Sequence, residues 1–239
     1  MSSTPTLPLS LPTGPVFHPR LPMQAGDHLS AEDFERRYEM MRDLKKAELI
    51  AGVVYMPSPV LFEDHADPHF QMSTWLGHYV AYTFGVRGGD NATVRLAPKN
   101  RPQPDLLLLI RPECGGATTL TDGYVTGAPE WLGEIAASSA SYDLHTKLQE
   151  YLRTGVPEYV VWRVWDRAID WFARSGKEYQ KIELENGVYR SRIFHGLWLD
   201  AEALLAGDMP RVLAVLQEGL ATPEHTVFCD QLRQRTSTT

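Results

Sequence analysis

Two acids in this chain of 239 residues sit where only pairing or chemistry would hold them, and a third acid and a lysine could join them. Asp105, preceded by Pro104, heads the apolar run from Leu106 to Ile110. A carboxylate at that place cannot pack into a core unless it is paired or binds a cation. Glu134 follows 29 residues later, between Trp131-Leu132 and Ile135-Ala136. Two ionised acids in apolar strands are costly without partners. If the strands are neighbours, both carboxylates can point at one spot, and such oxygen ligands suit a hard divalent cation such as Mg²⁺. The plainer alternative is that each acid sits at a strand end and pairs with an arginine. Glu48, at a helix-to-strand junction, is a third acid; alone it reads as a surface residue, and it gains weight only from the other two. Lys147 is the candidate cation, at the edge of an apolar helical stripe and able to reach over the sheet toward Glu134. Near a metal and a phosphate, a lysine stabilises developing charge or orients attacking water. Its competing role is an i, i+4 pair with Asp143, worth about 0.2–0.5 kcal/mol. Asp143 itself reads as a first-turn acid that suits the helix dipole.

The elements that must position these groups follow from pattern. Between Pro5 and Pro22 six prolines alternate with Ser, Thr and Leu, which predicts an extended arm over residues 1–28. Ser30 can cap a helix running through Leu44, with Leu29 stapled to Phe34. Residues 48–56 read as a hairpin bent at Gly52. Met72, Trp75, Leu76, Tyr79 and Val80 keep helical spacing and predict a helix over 68–84. Strands are expected over 92–97, 104–110 and 130–136, the second apolar enough to be covered on both faces. A Gly-rich loop over 113–127 precedes the third. Leu144, Leu148, Tyr151 and Leu152 give the stripe of a helix over 141–154, stopped by Gly155 and Pro157. Paired strands over 158–165 and 168–174, a short strand over 177–183, a turn at Asn186-Gly187 and two short helices after Asp200 complete the pattern. The end, residues 222–239, reads as a polar, frayed tail. Strands alternating with helices and then a meander imply one α/β domain over 29–221, an α/β sandwich with a mixed sheet.

Composition excludes several classes. With 30 acidic and 23 basic residues the net charge is −7, which argues against coating nucleic acid by charge alone while leaving room for a local basic groove. No apolar run is long enough to span a bilayer, so no membrane role is expected. Two cysteines, Cys114 and Cys229, are too few for a disulfide scaffold and fit a reducing, cytoplasmic setting. The glycines form neither a phosphate loop nor a dinucleotide fingerprint, and Ser138, Ser139 and Ser141 lack a nucleophile elbow. His65 and His69, four apart with Asp64 and Asp67 nearby, have ligand spacing for zinc but no third ligand marked. Trp162, Trp165 and Trp171 read as core or face packing, with base stacking the minority alternative.

The order of residues is familiar: Glu48-Leu49-Ile50-x-Gly52, a helix carrying His69, Pro104-Asp105, Gly127-Ala128-Pro129-Glu130, Glu134-Ile135, Tyr142-Asp143-x3-Lys147, Tyr151, and Gly155-Val156-x-Glu158-Tyr159. Over about residues 30–207 this resembles the Uma-two family, restriction-endonuclease-type proteins of the PD-(D/E)XK nuclease superfamily. The resemblance implies a restriction-endonuclease-like core, a mixed sheet flanked by helices. It implies Asp105 and Glu134 as metal-binding acids, the Ile135 carbonyl as a further ligand, and Glu48 as an auxiliary acid. The superfamily lysine two residues after the second acid is absent, since that position is Ala136; Lys147 on the next helix stands in for it. The segment Ala136 to Ser141 is also one residue shorter than the family's usual Ser-Pro-Ser-Thr stretch, and Arg163 and Trp165 replace a segment that commonly ends in Asp-Pro.

Three functions follow as expectations. The first is an endonuclease that hydrolyses phosphodiester bonds with Mg²⁺ or Mn²⁺, acting on nucleic acid with double-stranded DNA as the expected partner. Arg95, Lys99 and Arg101 would then line the phosphate path together with Lys147. The second is a catalytically silent binding or regulatory module on the same scaffold. The third is a metal-dependent hydrolase of a small phosphate ester. The proline-rich arm could clasp a second copy, giving a homodimer.

Overall fold

A computed structural model describes residues 22–56 and 60–236. The expected arm lies outside the described residues except for 22–28. That piece belongs to the domain: Met23 is buried with Phe34 and Leu49, and His28 bridges to Val53. Helix α1 (Ala31–Met40) starts as its sequence dictates, Ser30 Oγ accepting the Asp33 N–H at 3.1 Å. That bond satisfies one of the donors a helix start leaves unpaired. Strands β1 (Glu48–Ile50) and β2 (Val53–Tyr55) form the expected hairpin. Its turn residues Ala51 and Gly52 both take positive φ, 53° and 83°, the sense that matches strand twist.

A π-helical turn, Phe62–Ala66, runs into α2 (Asp67–Tyr82). Strand β3 (Val86–Asp90) follows; its run Arg87-Gly88-Gly89-Asp90 carries no apolar alternation, so the pattern did not mark it. The strand expected over 92–97 shrinks to β4 (Val94–Arg95), because the chain turns back between Ala97 and Asn100. Next come β5 (Leu106–Ile110), then β6 (Thr119–Thr121) and β7 (Tyr124–Thr126) inside the Gly-rich loop, then β8 (Trp131–Ala136). The crossover is one helical run: α3 (Ala140–Tyr142), a π turn over Asp143–Lys147, and α4 (Leu148–Thr154). The chain continues through β9 (Glu158–Arg163), β10 (Ala168–Ser175), β11 (Glu178–Lys181), β12 (Val188–Arg190) and β13 (Trp198–Asp200). It ends in α5 (Ala201–Ala206), α6 (Met209–Leu220) and α7 (Pro223–Thr236).

Six strands form the central mixed sheet in the order β11-β10-β9-β8-β5-β3, with β8 and β9 its parallel pair. The two layers of core follow strand alternation. On one face Leu106, Leu108, Trp131 and Ile135 meet Trp75 and Tyr79 of α2 and the C-terminal helices. On the other, Leu107, Leu109, Leu132 and Ala136 meet Tyr151 and Val156 of the crossover. Trp75, Trp131 and Trp171 contact one another edge to face, 6.1–6.3 Å between centroids, the arrangement ring quadrupoles favour. A mixed sheet flanked by helices is therefore the architecture, as expected.

The C-terminal expectation is corrected. Residues 223–236 are helix, not a frayed tail, and bury His225, Phe228, Cys229 and Leu232. A narrow stripe in an otherwise polar segment suffices to dock a helix on an existing core.

Candidate active site

Strands β5 and β8 run antiparallel with Leu106 opposite Gly133. One step further the same register sets Asp105 opposite Glu134, where β5 begins and β8 ends. Alternation puts Asp105 on the side of Leu107 and Leu109, and Glu134 on the side of Leu132 and Ala136. Both acids therefore face the crossover helix. Gly133 is required here: a Cβ would come within 2.5 Å of the fully buried Trp131 ring. The hairpin delivers the third acid. Leu49 bridges Arg101, and Glu48 Oε1 accepts the Gln103 N–H at 2.7 Å.

The crossover helix completes the cluster with polar rather than apolar residues. Its most buried side chains are Asp143, Lys147 and Tyr151; Leu144 and Leu148 are only partly buried, which corrects the expected stripe. The π turn places more residues per turn than an ordinary helix and keeps side chains four apart in line. The Lys147 ammonium, 3% exposed, lies 2.9 Å from Glu48 Oε2, 2.9 Å from Glu134 Oε1 and 3.5 Å from Asp143 Oδ1. Tyr151 donates its hydroxyl to the same Glu134 oxygen at 3.1 Å. Glu48 and Glu134 thus share one ammonium, and Asp143, in the first turn of the π segment, is also a fourth buried acid of the cluster.

Asp105 has its own partners. Its Oδ2 accepts the Ile135 N–H at 2.8 Å and lies 3.2 Å from His65 Nε2. Its Oδ1 meets Lys46 Nζ at 2.8 Å, and its backbone carbonyl lies 3.0 Å from His69 Nε2. Each histidine nitrogen can only donate to these acceptors. The rings of His65 and His69 stack 5.8 Å apart.

Charge and burial compete across this cluster. Burial opposes ionisation of Asp105, yet the His65 hydrogen bond and the Lys46 charge hold its carboxyl well below the usual range. Burial pushes Glu134 up to about 8 against the pull of Lys147, with Asp105, Asp143 and Glu48 adding repulsion. Burial likewise raises Asp143. For Lys147 burial favours the neutral amine, but Glu134, Glu48 and Asp143 overcome it and raise its pKa well above the ordinary value. Three carboxylates around one ammonium leave excess negative charge in a closed space, and that repulsion adds to burial in raising Glu134 and Asp143.

A family model described as "Putative restriction endonuclease", Uma2, matches residues 31–202. The chain belongs to the Uma2 family. No curated protein matches it. Among solved structures, one described as a putative nuclease belonging to DUF820 from Anabaena variabilis is similar at 12% identity, covering 71% of this chain and 90% of that one, with a TM-score of 0.49.

In this Uma2 chain Glu48, Asp105, Glu134 and Lys147 come together because β5 and β8 are neighbours, and Ile135 meets Asp105 through its N–H rather than its carbonyl. Two expected phosphate contacts do not. Arg95 and Arg101 both bind Glu35 of α1, Arg95 also binds Asp122, and Arg101 also donates to the Ala97 carbonyl; these partners consume their charge. The zinc alternative also dissolves: Asp64 accepts from Trp165 and Asp67 from Gln71, while both histidines go to Asp105. Lys46 was not expected as a site residue, and His65, weighed as a zinc ligand, instead binds Asp105. No pattern marked Lys46, because it lies in the loop before β1, where neither helical nor strand spacing applies.

Donor chemistry at this place fits a hard cation. Among the described residues no three His, Cys, Asp or Glu side chains stand around a common point for a metal ion, because Lys46 and Lys147 occupy the spaces between the carboxylates. Free acceptors remain nonetheless. Both hydrogen bonds to Glu134 go to Oε1, so among the described residues none reaches Oε2. The Ala136 carbonyl points toward β9, where it accepts from Val164, so the Ile135 carbonyl points the opposite way, toward β5. Extending the register sets Ile135 opposite Pro104, which has no N–H to give. The buried Gln103 Oε1 and Tyr142 hydroxyl have no partner among the described residues either. Oxygen atoms without donors are what a Mg²⁺- or Mn²⁺-binding site presents.

Proposed function

We propose that this chain is a metal-dependent endonuclease that hydrolyses phosphodiester bonds in double-stranded DNA. The carrying observation is the gathering of Asp105, Glu134 and Glu48 with Lys147 at one end of the sheet, beside an Ile135 carbonyl with no ladder donor. Membership of a nuclease family supports the reaction class, and the family's substrate would be nucleic acid. Asp105, the free oxygen of Glu134 and the Ile135 carbonyl would hold Mg²⁺ or Mn²⁺, with Glu48 as the auxiliary acid. Such a cation supplies Lewis acidity toward a phosphate oxygen and makes a bound water more acidic.

The protein's own residues do the positioning. Lys147 holds Glu48 and Glu134 in one place, and Tyr151 fixes which Glu134 oxygen is engaged. The Ile135 N–H and His65 orient the Asp105 carboxylate. The test is cleavage of duplex DNA in Mg²⁺ or Mn²⁺. Wild type cuts, while Asp105→Ala and Glu134→Gln, still folded by circular dichroism, lose at least about 100-fold in rate, the cost of removing groups that stabilise a charged transition state.

One observation favours a second reading, a silent module: each of the acids already touches an ammonium of the chain itself, Asp105 that of Lys46 and the others that of Lys147, in the spaces an added ion would take. A folded protein that neither binds millimolar Mg²⁺ or Mn²⁺ by calorimetry nor cuts DNA would decide for that reading.

A further inference from the structure

We propose that Lys46, not Lys147, is the side chain that contacts the substrate's phosphate, and that Lys147 is a positioning residue; this rests on the nuclease reading above. The two ammonium groups differ in what they are free to do. Lys147 has three carboxylates around it, and its side chain is 4% exposed. An ammonium has three donors, so Lys147 has a carboxylate for each and no open side toward a ligand the size of a DNA strand. Drawing it out would strip Glu48, Glu134 and Asp143 of their shared cation at once.

Lys46 stands on the outer side of the same acids. Its side chain is 21% exposed, and its Nζ has two partners among the described residues, Asp105 Oδ1 at 2.8 Å and Asn91 Oδ1 at 3.3 Å. Asn91 is itself exposed, at the end of β3. One donor of Lys46 is thus available toward solvent, directly over the acid that heads β5. The lysine belongs to the loop between α1 and β1 rather than to a helix or strand, so small shifts of its position cost no ladder hydrogen bond. An ammonium on a part-exposed side chain beside an acid cluster is the group that a phosphate diester approaching from outside meets first. With Arg95 and Arg101 engaged by Glu35, Lys46 also takes over the role expected of those arginines.

Fluorescence anisotropy with a labelled duplex, in EDTA and over a range of salt, separates the two lysines without relying on cleavage. Lys46→Met should weaken binding about tenfold and lower the slope of log affinity against log salt by about 0.9, the signature of one lost phosphate contact. Lys46→Arg should restore the slope. Lys177→Met, which removes an equal charge from the exposed turn before β11, should leave both unchanged. In Mg²⁺, Lys46→Met should raise KM for DNA more than it lowers kcat. Lys46→Met takes one cation from the buried Asp105 and should melt lower than wild type, while the Ile135 N–H and His65 still engage that carboxylate; Lys46→Arg keeps the ion pair, and binding is read only on protein that circular dichroism shows folded. Wild-type affinity and slope in Lys46→Met overturn the assignment, as does an equal loss in Lys177→Met. If wild type neither binds duplex nor cuts it, the nuclease reading itself fails and the role of Lys46 falls with it.

Discussion

At the scale of single residues the decisive feature is that, among the described residues, each buried acid and Lys147 has a charged or hydrogen-bonding partner. Removing one partner from a buried ion pair costs about 3–5 kcal/mol, because the other charge stays behind unpaired. Lys147→Met leaves three buried carboxylates without their cation, so urea unfolding should show a loss in that range. Combining it with Glu134→Gln should recover part of the loss. Glu158 makes the same point away from the site. It is fully buried and accepts from Trp171 Nε1, Ser191 Oγ and the N–H groups of Arg192 and Ile193. Burial pushes its carboxyl from 4.5 up to about 7, against those hydrogen bonds. The folded state therefore holds a proton that the unfolded chain has released between those values. The stability this contributes is full below about pH 4.5 and is lost as pH rises through about 7, amounting to about 3 kcal/mol at most. The difference in unfolding free energy between wild type and Glu158→Gln, measured from pH 4.5 to 8, should track this decline; a difference independent of pH would refute it.

Elements matter here through where they stop. Strand β5 begins one residue after Asp105, and β8 ends two residues after Glu134, so the acids sit where ladder pairing gives out and carbonyls become available. The crossover helix reaches them because Gly155, at φ 94°, ends it in the left-handed conformation and returns the chain into β9. Gly133 is the most sensitive joint. Gly133→Ala would drive a methyl group into the Trp131 ring, an overpacking that costs about 1–3 kcal/mol. Because Glu134 is its neighbour, cleavage should fall further than the stability loss alone accounts for. Thermal melts and rates on the same preparation check this, and a stability loss with an unchanged rate in the folded protein would show that β8 absorbs the strain away from Glu134.

For the whole molecule, a net charge of −7 sets the terms on which a polyanion approaches. That charge repels a polyanion at long range, so on the nuclease reading duplex binding would come from local contacts near the acid cluster and should respond steeply to salt. A site touching even two or three phosphates should lose at least about tenfold in affinity between 50 and 200 mM salt. A hydrolase of small phosphate esters would lose far less, which separates the two substrates in one titration. The fold supports such a site by covering its sheet on both faces. Among the described residues no helix is long and apolar enough to cross a membrane, and α7 seals one core layer with Phe228 and Leu232. A chain cut before Pro223 should melt lower than the full chain for that reason.

The sequence by itself determined most of the elements and pointed to four candidate site residues, which the structure brings to one end of the sheet. Apolar runs, helical spacing and turn residues are local properties, and an acid inside an apolar strand is conspicuous because burial without a partner is so costly. It also marked Glu48, Asp105, Glu134 and Lys147 as an ordered set. Only the tertiary structure decided what those charges meet. Lys46 and His65 reach Asp105 from segments 59 and 40 residues away, Arg95 and Arg101 turn to Glu35, and Asp143 turns inward through a π turn. Pairings of that kind depend on which loops cross at one point in space, and no periodicity along the chain encodes them. The docked C-terminal helix escaped for a related reason: a narrow stripe in a polar segment stays helical and buried only because a core is already there to receive it.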